Sequence, residues 1–232
     1  MKNYIVVTGA SRGLGKELSK QLAKLGYYIV LTARNEKTGK KVMQEILEYS
    51  PKSTLLFHQL DVADEKSIDK FIKFIEKEKI PVDVLVNNAG IVESRNSTLE
   101  TSKKEMQKSM DTNFYGPLLL SQKLVGLLNE SGNGKIINVS SGMGSFSELL
   151  GGYAGYRISK MALNGLTAIM AKDLASKKVK VFSVCPGWVK TDMGGAAAPR
   201  SLQQGIDSVK WLITKNDGVS GNFYRDKKKI KF

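Results

Sequence analysis

Tyr156 and Lys160 stand four residues apart, a spacing that lets them handle a proton together. On a helix, positions i and i+4 share a face, so an ammonium at 160 lies close to a phenol at 156. A phenol with a pKa near 10 is a poor acid–base group at neutral pH unless its anion is stabilised, and a neighbouring positive charge lowers that pKa. Tyr153 and Arg157 repeat the spacing. A guanidinium differs in geometry and in permanence of charge, so Tyr156 is the stronger candidate. A second constellation lies near the N-terminus, where Thr8-Gly9-Ala10-Ser11-Arg12-Gly13-Leu14-Gly15 follows the apolar run Tyr4-Ile5-Val6-Val7. Glycines at such a junction let the backbone turn tightly and approach a pyrophosphate, and a helix that follows offers free N–H groups and its positive end. The spacing is Gly-x3-Gly-x-Gly, not the Gly-x-Gly-x-x-Gly of the commonest dinucleotide fingerprint.

The elements that must position these groups alternate along the whole chain. Strand-like runs occupy Tyr4–Thr8, Tyr28–Ala33, Thr54–Leu60, Val82–Asn87, Lys135–Ser140, Val179–Cys185 and Asn222–Tyr224. Amphipathic stretches begin near Gly13, Glu36, Glu65, Ser102, Gly155 and Ser201. Alternation of this kind predicts an α/β fold: one doubly wound, Rossmann-type parallel sheet of about seven strands with helices on both faces. Ile29-Val30-Leu31 and Val84-Leu85-Val86 are continuous apolar runs, as expected of parallel strands buried on both sides. At 232 residues, with no linker, repeat or low-complexity segment, residues 1–232 read as one domain.

Composition excludes several chemistries. Cys185 is the only cysteine and His58 the only histidine, which leaves no intramolecular disulfide, no multi-cysteine zinc site and no Ser-His-Asp triad without His58. His58 lies within the third strand and Cys185 ends the sixth, and both read as structural. No metal is expected. No apolar run approaches the roughly 20 residues needed to cross a bilayer, and the N-terminus lacks the apolar core of a secretion signal. A soluble, cytoplasmic protein without a membrane partner is expected. The formal charge of +14 attracts anions, but of 36 Lys and Arg only six are Arg, and the lysines fall at spacings that suit solvated faces. Nucleic-acid recognition would favour clustered arginines and exposed aromatics, so no nucleic-acid partner is expected. The run Lys227-Lys228-Lys229 reads as a solvated tail.

The motifs in this order resemble the short-chain dehydrogenase/reductase family over essentially the whole chain. Beside the glycine-rich loop and Tyr156-x3-Lys160 they include Asp61-Val62 after the third strand and Asn87-Asn88-Ala89-Gly90 after the fourth. Asn113 in Asp111-Thr112-Asn113-Phe114-Tyr115-Gly116, Val139-Ser140-Ser141 and Cys185-Pro186-Gly187-Trp188-Val189-Lys190-Thr191-Asp192-Met193 complete the set. The last stretch and Tyr156-Arg157-Ile158-Ser159-Lys160 look most like the carbonyl reductase branch. The resemblance implies a Rossmann-fold oxidoreductase in which Tyr156 gives a proton to a carbonyl oxygen and Ser141 holds that oxygen. Lys160 would bind the nicotinamide ribose, and Asn113 would hold a water that relays protons through Lys160. It further implies cofactor contacts from Gly9, Ser11, Arg12, Gly13, Leu14, Gly15, Asp61, Val62, Asn87, Ala89, Gly90, Pro186, Gly187, Val189 and Thr191. The second strand ends Leu31-Thr32-Ala33-Arg34-Asn35, without the acid that takes ribose hydroxyls. Arg34 and Arg12 can instead clamp a 2′-phosphate through charge-assisted hydrogen bonds, which selects NADP(H).

By position relative to Ser141 and Tyr156, the substrate pocket is assigned to Met143, Leu149 and Trp188, with Phe146, Leu150 and the 192–204 loop as further candidates. These are mostly apolar and predict a neutral small-molecule aldehyde, ketone or quinone. An alternative is a 3-oxoacyl reductase working on an acidic acyl carrier protein, which would use the positive charge. A third is an NADP-binding regulator without turnover, against which the complete Asn113, Ser141, Tyr156 and Lys160 set stands. The segment from Gly142 to Gly155 is short, whereas monomeric carbonyl reductases carry a long insertion there. A homo-oligomer, dimer or tetramer, packed through Asn113–Leu128 and Tyr156–Leu174 is therefore expected.

Overall fold

Apolar runs dense in β-branched residues can be buried on both faces only at the centre of a sheet. In a computed structural model, which describes residues 4–130, 134–215 and 218–232, those runs are its central strands. The strands are β1 (Tyr4–Val7), β2 (Tyr28–Ala33), β3 (Leu55–Gln59), β4 (Val82–Asn87), β5 (Lys135–Val139), β6 (Lys180–Val184), β7 (Phe223–Arg225) and β8 (Lys228–Ile230). They form one sheet in the order β3-β2-β1-β4-β5-β6-β7-β8. Every pairing is parallel except β7 with β8. The chain reverses its direction of travel between β1 and β4, and the crevice beyond the carboxyl ends of such strands is where doubly wound folds bind ligands.

The described residues form seven α-helices around the sheet: α1 (Gly13–Lys24), α2 (Glu36–Tyr49), α3 (Glu65–Lys77), α4 (Lys103–Met110), α5 (Gly116–Glu130), α6 (Ala154–Asp173) and α7 (Leu202–Thr214). On one face Leu18, Leu22, Val42, Ile46, Val209 and Leu212 from α1, α2 and α7 pack on Ile5, Ile29 and Phe182. On the other, Ile68, Phe71, Ile75, Leu120, Leu124 and Met170 from α3, α5 and α6 pack on Val6, Val30 and Leu85. Helix starts are chemically marked. Asn35 accepts from the Thr38 N–H, and Ser102 with Glu105 and Ser201 with Gln204 form complete capping boxes. Between α4 and α5 the helix does not stop but widens into a π segment over Asp111–Tyr115.

Two expectations change. The sheet has eight strands rather than about seven, because Lys228–Ile230 folds back antiparallel on β7. The basic run is accordingly no tail: Lys227 sits in the hairpin turn and Lys228 and Lys229 lie in β8. Asp226 and Lys227 both adopt positive φ, 53° and 61°, as a two-residue hairpin turn requires. Neither residue is the Gly or Asn that usually announces such a turn, so the sequence pattern carried no signal for it.

Candidate active site

The glycine-rich loop, the segment after β4 and the start of α6 converge beyond the carboxyl ends of β1, β4 and β5 on a cleft of about 450 Å³. Gly9 follows β1 at φ 65°, and a Cβ there would stand 2.9 Å from Ala89 Cα. Only glycine permits both the turn and that approach. The Thr8 hydroxyl accepts hydrogen bonds from the Asn88 and Ala89 N–H groups at 2.9 and 3.0 Å, and Asn88 Nδ2 donates to Thr8 O at 2.8 Å. Thr8 and Asn88 thus weld the two loops that flank the switch point. Neither stood among the candidate site residues; their only signal was adjacency to Gly9 and membership of Asn87-Asn88-Ala89-Gly90.

Of the expected cofactor residues, Gly9, Ser11, Arg12, Gly13, Leu14, Arg34, Asp61, Val62, Ala89, Gly90, Tyr156, Lys160, Pro186 and Thr191 line this cleft. Gly15 is buried in the first turn of α1, where a Cβ would meet Asn88 Nδ2 and Gly9 O at 2.5 Å. Val189 is buried, and Gly187 lies against the Arg200 side chain instead of on the cleft wall. The Asn87 side chain points into the sheet interior, with Nδ2 donating to Asn138 Oδ1 at 2.9 Å, and its neighbour Asn88 takes the place on the cleft wall. Asn35 and Thr38 join Arg34 at the end of β2, and Asp192 and Met193 join Thr191. Arg12 donates to Asp192 Oδ2 at 3.0 Å across the mouth. Both side chains are exposed, so the contact is worth at most about 1 kcal/mol.

Tyr156 enters on the first turn of α6, which is preceded by Tyr153 at φ 53°. A left-handed tyrosine costs about 1–2 kcal/mol and is tolerated where surrounding contacts overdetermine it. Here Tyr153 N–H donates to Arg95 O at 3.1 Å and its carbonyl accepts from Arg157 N–H at 2.9 Å. Burial pushes the pKa of the Tyr156 phenol up to about 12, with the nearby Ser141 hydroxyl acting in the opposite direction. Lys160, also buried, is brought down to about 8 by loss of hydration. Its Nζ donates to Val139 O at 2.8 Å and lies 5.8 Å from the Tyr156 ring centre. The expected lowering of the tyrosine by the ammonium does not appear in this geometry: Lys160 aims at a main-chain carbonyl, and burial sets the phenol.

Asn113 sits inside the π segment, fully buried. Its Oδ1 accepts from Ile91 N–H at 2.9 Å, and Nδ2 donates to Ile91 O at 3.0 Å and Ser159 Oγ at 2.9 Å. Both amide N–H groups are committed, so a water near Lys160 could take only an oxygen lone pair or the main chain of this residue. A Cβ on Gly90 would lie 3.2 Å from Asn113 Oδ1 and 3.4 Å from Lys160 Nζ, so Gly90 separates the two. π insertions of this kind often mark functional positions.

The assigned substrate residues flank the cleft without lining it. Met143 N–H donates to Ser141 Oγ at 3.1 Å, Leu149 is 41% exposed, and Trp188 is 57% exposed with its indole N–H on Gly194 O. Cys185 is buried, its sulfur accepting from the N–H groups of Gly142 and Gly187 at 3.1 and 3.4 Å. His58 lies against Phe71 and Phe74 on the far edge of the sheet. No group of three or more potential metal ligands occurs among the described residues, and no described helix is long and apolar enough to cross a membrane.

A glycine loop at the switch point of a doubly wound sheet, facing a buried tyrosine and a buried lysine one helical turn apart, defines the class: a nucleotide-dependent oxidoreductase of the carbonyl reductase type. The chain belongs to the short-chain dehydrogenase family, whose model matches residues 3–201. It is similar to (+)-neomenthol dehydrogenase of Arabidopsis thaliana, 31% identical over 99% of this chain and 98% of that protein. It is also similar to carbonyl reductase [NADPH] 1 of Bos taurus, 30% identical over 98% and 97%. Among solved structures, NADPH-bound carbonyl reductase from chicken fatty liver superposes with a TM-score of 0.88 at 30% identity, covering 99% of this chain and 98% of that one.

Proposed function

We propose that the protein reduces a neutral aldehyde, ketone or quinone with NADPH, Tyr156 supplying the proton. The observation that carries this reading is the buried pair Tyr156 and Lys160 on the same cleft as the glycine loop. The residues present fit NADP(H). Gly9 turns the loop onto the cleft at φ 65°, and the exposed Arg34 side chain lines the cleft at the end of β2, where a 2′-phosphate would sit, with no side-chain hydrogen bond or ion pair among the described residues. NADPH is also the cofactor named for the cattle and chicken carbonyl reductases. Ser11, Arg12, Gly13 and Leu14 would hold the phosphates, Asp61 and Val62 the adenine, and Thr191 the carboxamide. When bound, the nicotinamide supplies the hydride that the carbonyl carbon takes up.

The protein's own part is proton delivery and positioning. At neutral pH, Tyr156 held near 12 keeps its proton and is loaded as an acid. A carbonyl oxygen entering between Ser141 and Tyr156 would accept from both hydroxyls. As charge develops on that oxygen, the tyrosine proton moves to it, and the Lys160 ammonium beneath the ring balances the phenolate left behind. The apolar rim formed by Leu149, Trp188, Leu150, Phe146 and Met193 favours an uncharged substrate. Exposed Ile158 and Ile169 on α6 support association into a dimer or tetramer, which light scattering at micromolar concentration would contradict by a monomer mass. The test is NADPH oxidation with quinones, aromatic aldehydes, α-dicarbonyls and ketosteroids, with Tyr156→Phe alongside. Turnover of one class, lost by roughly 100-fold or more in the variant, is expected. Equal rates in the two proteins would refute the assignment.

A further inference from the structure

The hairpin that the sequence pattern missed touches both walls at the substrate end of the cleft. Arg225, at the end of β7, forms a two-pronged ion pair with Glu148, Nη1 to Oε2 at 3.0 Å and Nη2 to Oε1 at 2.6 Å. Glu148 belongs to the segment between Ser141 and Tyr156. The pair lies directly on Gly142, the residue after Ser141: a Cβ there would stand 2.3 Å from Glu148 Oε2 and 3.1 Å from Arg225 Nη1. The Gly142 N–H in turn donates to the buried sulfur of Cys185 at 3.1 Å. Asp226, the next residue, makes a second two-pronged pair with Arg200, at 2.6 and 2.8 Å. Arg200 lies against Gly187 and hydrogen-bonds the opposite wall through its main chain, its N–H to Trp188 O at 3.2 Å and its carbonyl from Lys190 N–H at 2.9 Å.

The hairpin is itself fastened. Lys227 N–H donates to Ser208 Oγ at 3.0 Å and its ammonium reaches Asp207 at 2.6 Å, both on α7. Lys231 O accepts from Ser145 Oγ at 3.0 Å. Consecutive residues of one turn therefore hold the loop after Ser141 and the loop after Pro186. The charges cancel in pairs, so the contacts add no net charge to the rim.

We propose that Arg225 and Asp226 are positioning residues: the C-terminal hairpin sets the serine loop and the 188–200 loop at the separation the carbonyl substrate requires. This rests on the assignment of Ser141 and Tyr156 above. The ion pairs are partly exposed, and their worth to stability is small. Their effect is on placement, where a shift of about 1 Å can cost up to about 100-fold in rate.

The test compares Arg225→Gln, Arg225→Lys, Glu148→Gln and the double Arg225→Gln/Glu148→Gln with wild type. The carbonyl substrate found in the panel, NADPH and thermal unfolding are the three readouts. Expected are a fall of roughly tenfold or more in carbonyl kcat/KM for Arg225→Gln, an NADPH KM within about twofold, and partial recovery with lysine. The double variant should be no worse than the poorer single, as for residues acting through one contact. An NADPH KM that rises in step, additive losses, or a defect that disappears below the variant's unfolding temperature overturns the proposal. Hydrogen exchange reads the same contacts without turnover. In Arg225→Gln and in Asp226→Asn the amides of Gly142 and Lys190 should lose protection, and wild-type rates there would overturn the brace. An inactive wild type with those amides deprotected in the variants would instead refute the catalytic assignment and leave the brace standing.

Discussion

Lys160 titrates within reach of ordinary assays, and the sign of its effect follows from burial. Loss of hydration disfavours the charged form, so its pKa comes down to about 8 and the ammonium is present below that value and lost above it. With a pKa of about 8, the charged fraction falls from about 0.9 at pH 7 to about 0.1 at pH 9. If the ammonium must be present to balance the phenolate and hold the cofactor ribose, kcat/KM for NADPH falls about tenfold over that interval. That parameter reports groups of the free enzyme, the state to which the lowered pKa belongs. Tyr156, held up to about 12, contributes no limb in this range. The assay is initial-rate NADPH oxidation between pH 6 and 10 with one good carbonyl substrate, repeated with Lys160→Arg, whose charge does not titrate there. Rates flat to pH 9.5, or a limb near 8 that persists in the arginine variant, would refute the reasoning.

Two further outcomes follow from the same physical terms. Arg34→Ala should raise the dissociation constant for NADPH by roughly tenfold, the loss of one or two charge-assisted hydrogen bonds, and leave NADH nearly unchanged; equal effects on the two cofactors, read by nucleotide fluorescence, would remove Arg34 from the phosphate site. Lys135, buried at the start of β5 with Nζ on the carbonyls of Leu212 and Ile213, is also lowered to about 8, by burial first and by Lys180 second. Its folded pKa lies below its unfolded one, so the stability it withholds at neutral pH returns as pH rises from about 8 towards 10.5. Relative to Lys135→Met, wild type should gain about 2 kcal/mol between pH 7 and 9.5 in urea unfolding; a constant difference would mean that the two carbonyls hold the ammonium charged throughout.

Most of the sheet, the glycine loop and the closeness of Tyr156 to Lys160 were legible because their determinants are local. Val84-Leu85-Val86 is a buried strand in any context, a glycine loop after a strand is contiguous, and Tyr156 and Lys160 need only a helix to meet. What stayed hidden depends on partners far along the chain. Thr8 matters because its hydroxyl meets Asn88 and Ala89, some 80 positions away. The turn at Asp226 and Lys227 is held by tertiary contacts with α7 and Arg200, not by turn-forming residues, and so left no local mark. Pairs such as Glu148 with Arg225 are too common as residue types for one chain to reveal which of them meet. Asn87 shows the converse error: its motif is local and readable, but which of two adjacent asparagines faces the cleft is decided by strand alternation at the end of β4.

The arrangement around Asn113 indicates why the helix before α5 is widened rather than interrupted. Asn113 must reach both the segment after β4, through Ile91, and α6, through Ser159, which in turn donates to Tyr156 O at 2.8 Å. A regular helix places successive side chains about 100° apart, and α4 and α5 each need their own buried face against the sheet or α6. One inserted residue shifts the phase between those faces and turns Asn113 inward between them. The cost is poorer hydrogen-bond geometry over five residues, Asp111–Tyr115. What is gained is a strut from the segment after β4 to the helix that carries Tyr156 and Lys160, so two walls of the cleft are tied through one buried side chain.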